Sequence, residues 1–184
     1  MTRRSRNRAA QPDPIAAQYN QWVYPRPLDD LAAQPGRQAA DPALTHRIYW
    51  PDRADPGPLD ILVAGCGANQ AAEIAFHNRS ARVVGIDVSD AALAHERVLK
   101  DKHQLANLET LKLPVEAAAR LGHQFDLVIA TGVLHHLVDP VAGLKALGDC
   151  LKRDGAVVSE PAVRAPGVVS LQGLGALPGD HRAR

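Results

Sequence analysis

The chain has 184 residues, a formal net charge of +1, 46% hydrophobic and 22% charged residues. That size and balance suit one globular domain with its own core. They exclude a charge field for nucleic acid or an anionic membrane, and no apolar run reaches membrane-spanning length. Cys66 and Cys150 offer neither a disulfide framework nor metal-ligand spacing, which fits a reducing, cytoplasmic setting.

Residues 1–14 read as a disordered basic tail. Arg3, Arg4, Arg6 and Arg8 are followed by no apolar stretch, so this is not a secretory signal. Residues 15–58 read as a helical cap closed by a Pro-rich linker. Ile15, Tyr19, Trp22 and Val23 have helical spacing and run into Tyr24-Pro25-Arg26-Pro27, which must be extended. Two readings of this segment stand side by side. It covers an open end of the core, or it is a lid that brings Tyr19 or Tyr24 to a bound ligand and Arg26 to a substrate anion. Asp41-Pro42 predicts the start of a helix with Leu44, Ile48 and Tyr49 on its buried face, ended by Trp50-Pro51. Pro51 to Pro58 is the linker.

Residues 59–160 alternate strand and helix. Strands are predicted at Leu59–Ala64, Arg82–Asp87, Leu108–Leu111 and Phe125–Ala130, with a fifth beginning at Ala156. A helix runs from Asn69 to about His77. Ser89 caps a second, whose apolar side is Ala92, Leu93, Val98 and Leu99. Leu113 to Glu116 leads into a short helix. Asp139-Pro140 opens the last one, with Val141, Leu144, Leu147 and Leu151 at helical spacing, Lys152 and Arg153 at its end, and Gly155 as breaker. The pattern predicts an α/β, Rossmann-like, doubly wound and mostly parallel sheet of about five strands behind a short helical cap.

The informative stretch is Ile61 to Gln70. An apolar strand ends in Gly65-Cys66-Gly67, and a helix begins at once. Glycine lets the backbone turn sharply and lets a ligand approach closely. A helix start offers unpaired N–H groups. Glycine is also the default residue of turns that bind nothing, so the turn alone decides little. Asp87, 22 positions after Gly65 at the tip of the next strand, adds a carboxylate placed to accept from a ribose diol. The third glycine of a dinucleotide turn is replaced by Gln70, and no P-loop is present. The expected ligand has a ribose and lacks a pyrophosphate. Gly65, Asp87, Pro114 and Thr131 all fall at carboxyl ends of strands, where such sheets bind ligands.

Over Leu59 to Glu160 the sequence resembles the class I S-adenosylmethionine-dependent methyltransferases of the small-molecule type. Val63-Ala64-Gly65-Cys66-Gly67 is similar to the first family motif. Val84-Gly85-Ile86-Asp87-Val88-Ser89 is similar to the second, and Phe125-Asp126-Leu127-Val128 with Gly132-Val133-Leu134-His135-His136 to the fourth strand and its loop. Tyr19 to Pro25 resembles a lead-in found in a bacterial subgroup. The resemblance implies S-adenosylmethionine as cofactor. Gly65, Cys66 and Gly67 would line its methionine and ribose part, and Asp87 would take the ribose. Val88 would pack on adenine, with Leu113, Pro114 and Val115 at the adenine edge. Thr131 and Gly132 would sit beside the sulfonium. Val63, Asn69 and Pro114 depart from the family pattern.

After Glu160 the family continues with a helix and two further strands. Only 24 residues remain, and Pro161, Pro166 and Pro178 are spread through them. Residues 161–184 read as an irregular tail of a truncated or frame-shifted product, with the sheet ending at an exposed edge that could pair with another copy. His135 and His136 lack the partners of a metal site. One of them is a candidate general base. Cys66 stands at a helix start, which favours a reactive thiol, or is simply a small residue in a crowded turn. The expected partner is a small molecule, with no nucleic acid and no membrane. Three functions remain: methyl transfer, a degenerate protein that binds the cofactor without catalysis, and a nicotinamide-dependent oxidoreductase.

Overall fold

A computed structural model describes the chain at residues 26–33, 41–52, 57–159 and 168–170. The basic tail, the lid candidates Tyr19 and Tyr24, and most of the C-terminal tail lie outside the described residues. Helix α1 (Pro42–Tyr49) precedes strand β1 (Asp60–Ala64), helix α2 (Gln70–His77), strand β2 (Arg82–Asp87), helix α3 (Asp90–Lys102) and strand β3 (Leu108–Lys112). A 3-10 helix (Val115–Leu121), strand β4 (Phe125–Ala130) and a 3-10 turn (Leu134–His136) follow. Helix α4 (Pro140–Gly148) and strands β5 (Leu151–Ser159) and β6 (Val168–Ser170) complete the order.

All neighbouring strands are parallel, in the order β3-β2-β1-β4-β5-β6. The order reverses at β1, so a crevice opens between the turns that follow β1 and β4. Side chains alternate between two covered faces. Ile61, Val63, Val83, Leu127 and Ile129 pack with Ala71, Ile74, Leu93 and Leu99 of α2 and α3, and with Leu31 and Trp50. Leu62, Ala64, Val84, Ile86 and Val128 pack with Val115 and Ala118 of the 3-10 helix and Leu144 and Leu147 of α4. Burial on both faces explains why these strands read as unbroken apolar runs.

The local caps form as the sequence predicts. Ser89 Oγ accepts the Ala92 N–H at 3.2 Å, and Asp139 Oδ1 accepts those of Val141 and Ala142. Other expectations are corrected. The chain leaves α4 at Gly148, and Leu151, Lys152 and Arg153 belong to β5. Lys152 is drawn into the sheet by two carboxylates: its Nζ donates to Asp60 Oδ2 at 2.6 Å and Asp126 Oδ2 at 2.8 Å. Gly155 lies within β5. Phe125 pairs with Leu151 and Leu127 with Ala156, an irregular register. A Cβ on Gly155 would stand 2.9 Å from the Phe125 carbonyl oxygen. The sheet has a sixth strand, so β5 is not its edge. Ile48 and Val98 are 41% and 59% exposed, whereas Glu96, on the same turn of α3 as Val98, is fully buried.

Candidate active site

Gly65 and Gly67 both take positive φ, 68° and 57°, the region that glycine enters without strain. The N–H groups of Gly65 and Cys66 both donate to the Ile86 carbonyl, at 2.8 and 3.0 Å. The turn after β1 is thereby fastened across to the end of β2. Gly65 also has no room for a side chain, since a Cβ would lie 1.9 Å from Val133 Cγ2.

Asp87 joins the two loops. Its Oδ2 accepts the Gly67 N–H at 2.9 Å, and its Oδ1 accepts the Ser89 N–H at 2.8 Å. Its carbonyl accepts the Leu113 N–H at 3.0 Å, which brings the loop after β3 to the same corner. The expected convergence of the glycine turn and the acid on β2 is present. Val88 and Leu113 are half-buried, Val115 is buried and Pro114 is exposed.

The start of α2 reaches three other elements. Asn69 bonds to the main chain of Arg26 and Leu28. Gln70 Nε2 donates to Thr131 Oγ1 at 2.7 Å, tying α2 to the end of β4. The N–H groups of Ala71 and Ala72 donate to the two oxygens of Glu96, at 3.0 and 2.8 Å. None of these roles was predicted. The signal for Glu96 lies in the spacing Ala92, Leu93, Glu96, Leu99, which is one face of α3.

Burial raises the Glu96 carboxyl to about 8 against the pull of its two amide donors, with Glu73 and Asp87 pushing the same way. Burial, then the negative charges of Glu96 and Asp87, holds the Cys66 thiol well above its ordinary range. That disfavours a reactive thiolate and leaves Cys66 a small residue of a crowded turn.

Gly132, after β4, has φ 71°, and a Cβ there would meet nothing within 4 Å. The space beside it is open. His135 and His136 stand exposed on the following 3-10 turn, their ring centroids 3.9 Å apart. Arg26 is exposed, and its main chain lies against Asn69 at the start of α2. Among the described residues, no helix is long and apolar enough to cross a membrane.

A family profile described as "Methyltransferase domain" matches residues 62–157, just over half of the chain. The ubiquinone biosynthesis O-methyltransferase of Acinetobacter baylyi is 32% identical over 123 residues, 65% of this chain and 51% of that protein. The protein of the same name from Dinoroseobacter shibae is 33% identical over 131 residues, 70% of this chain and 52% of that protein. The chain thus spans about half the length of the curated relatives it matches. Coclaurine N-methyltransferase, solved bound to N-methylheliamine and SAH, has the same fold, with a TM-score of 0.52 at 15% identity over 62% of this chain and 34% of that one. The matched residues include the glycine turn, Asp87 and the loop after β4, and the chain belongs to the class I S-adenosylmethionine-dependent methyltransferase family.

Proposed function

We propose that this chain binds S-adenosylmethionine in the crevice between the Gly65–Gly67 turn, Asp87 and Gly132, and passes its methyl group to the hydroxyl oxygen of a small molecule. The observation that carries the reading is the Asp87 carboxylate held against the glycine turn by the Gly67 N–H at 2.9 Å.

The residues present fit that ligand. A carboxylate has about four acceptor positions. Two are used by Gly67 and Ser89, which leaves acceptors for both hydroxyls of a ribose. Val88, Leu113 and Val115 supply an apolar wall for a base, with Pro114 at its exposed edge. Gly67 and Gly132 place no side chain in the way, and Cys66 is buried beneath the turn. No carboxylate side chain is needed for the transfer itself, because the bound sulfonium supplies an already activated methyl group.

What remains for the protein is to align the acceptor and exclude water. Thr131 and Gly132 flank the place of the sulfonium, with the Thr131 hydroxyl fixed by Gln70. His135 and His136 stand on this rim, and a ring nitrogen of one would receive the acceptor's hydroxyl proton. Oxygen as the methylated atom is inferred from the O-methyltransferase relatives. Tyr19, Tyr24 and Arg26 are the candidates for the acceptor side.

Calorimetry with S-adenosylmethionine, S-adenosylhomocysteine and NAD tests the site. Binding of the first two and not the third is expected. Binding of NAD alone refutes the proposal. Transfer of labelled methyl to a panel of hydroxyl-bearing acceptors tests the reaction. Tight binding with no transfer to any of them would make this a cofactor-binding protein without catalysis.

A further inference from the structure

Asn69 sits immediately before α2, where a side-chain oxygen ordinarily caps the helix. It makes no cap bond. Its Oδ1 accepts the Leu28 N–H at 2.9 Å, and its Nδ2 donates to the Arg26 carbonyl at 2.9 Å. The residue is 2% exposed, so both bonds form out of water, where an unpaired amide is costly. The side-chain amide pairs with a donor and an acceptor of the main chain, two residues apart, as a neighbouring backbone would.

Residues 26–31 form a strap, also fastened to α3 and to His103, the residue that follows it. His95 Nε2 lies 2.9 Å from the Leu28 carbonyl, Lys102 Nζ donates to the Asp29 carbonyl at 2.6 Å, and the Leu31 N–H donates to His103 Nε2 at 3.2 Å. Leu31 is 1% exposed in the core. Asn69 is the fastening on the glycine-turn side, two residues past Gly67, whose N–H holds Asp87. The usual work of residue 69 is done from elsewhere, because Glu96 accepts the N–H groups of Ala71 and Ala72. The amide of Asn69 is thereby released from capping and committed to the strap.

We propose that Asn69 is a positioning residue that seats the Arg26–Leu31 strap on the cofactor turn and couples the two, so that cofactor affinity depends on the seated strap. The proposal rests on the cofactor reading above. Coupling is reciprocal: if the strap supports the turn, a ligand that fills the turn holds the strap by the same factor.

Hydrogen exchange at the Leu28 and Leu31 amides, with and without S-adenosylhomocysteine, tests it together with the Asn69→Asp variant. Aspartate caps a helix as well as asparagine does, but it cannot donate to the Arg26 carbonyl. The expected result is slower exchange at both amides in liganded wild type. In Asn69→Asp, exchange at both is about tenfold faster and the Kd for S-adenosylhomocysteine rises by about the same factor. Exchange in wild type needs no variant to fold. Wild type that fails to bind S-adenosylhomocysteine overturns the cofactor reading and the coupling with it. Binding that leaves Leu28 and Leu31 exchange unchanged, or an Asn69→Asp variant with wild-type affinity, overturns the coupling alone.

Discussion

Gly67 and Asp87 meet across the tops of two parallel strands, the Gly67 N–H on Asp87 Oδ2 at 2.9 Å. The register Ala64↔Ile86 places the turn after β1 beside the end of β2, and the Ser89 N–H on Oδ1 fixes the other half of the carboxylate. Side chain and turn therefore hold one another in place before any ligand arrives.

Replacing Asp87 with asparagine keeps the shape and removes the charge. One oxygen becomes an NH2 group, which must face a main-chain N–H of Gly67 or Ser89, donor against donor. The affinity for S-adenosylhomocysteine is expected to fall about 10- to 100-fold, read by calorimetry. An unchanged affinity would remove Asp87 from the site.

Gly65→Ala carries two penalties. Alanine at φ 68° is strained, and its Cβ would lie 1.9 Å from Val133 Cγ2. Together these are expected to destabilise the fold by about 2 kcal/mol or more in urea denaturation. Adding Val133→Ala removes the clash and leaves the strain, so it should recover only part of the loss. A wild-type urea midpoint for the single variant would contradict the close packing of the turn.

The central strands were legible because their signals are local: Ile61 to Ala64 and Leu127 to Ala130 are apolar throughout and buried throughout. The Ser89 and Asp139 caps were legible for the same reason, and Asp87 because the length of a βαβ unit nearly fixes its place. What escaped depends on distant partners. Leu151 with two following cations fits a helix end, and only Asp60 and Asp126, 92 and 26 residues away, make Lys152 a strand residue. Asn69 reads only as a departure from the family pattern until Arg26 and Leu28 are placed beside it. Glu96 lies on an apolar helix face, which charge alone argues against; its partners are main-chain groups of another helix and leave no mark in composition.

Lys152 stands at the amino ends of β1 and β4, the end of the sheet away from the glycine turn. Its ammonium is held above its ordinary range by Asp126 and Asp60. Burial works upward on the Asp60 carboxyl, but Lys152 and His123 outweigh it and lower it. The Asp60 contribution is present above the ordinary aspartate pKa and lost as pH falls through the lowered one. The Lys152 contribution is lost only in strong alkali, as pH rises through the raised value. Lys152→Met should therefore destabilise the protein at neutral pH, by about 1 kcal/mol because the pair is partly solvated. It should also flatten the acid limb of stability and leave S-adenosylhomocysteine affinity unchanged. Melting curves from acid to neutral pH check the first two, and an altered affinity would show that this end of the sheet is not separate from the site.

Glu96 makes the opposite prediction for alkaline pH. The residue is fully buried, and its carboxyl is raised from 4.5 to about 8, chiefly by burial. A folded-state pKa above the unfolded one gives a contribution that is complete below the unfolded value and lost as pH rises through the folded one. Wild-type stability should accordingly decline from about pH 4.5 to about pH 8 and level off above that. Cys66 faces the same carboxylate, but its thiol is held well above 9.0, chiefly by burial, and does not titrate in that window. Glu96→Gln mimics the protonated acid at every pH and keeps one oxygen for the Ala71 or Ala72 N–H. Its melting temperature should be nearly level from about pH 5 to 8, where wild type declines, and exceed wild type by several degrees at about pH 8 and above. Parallel profiles for the two proteins would mean that Glu96 does not titrate in this range, and that its two amide donors hold the charge more firmly than burial opposes it.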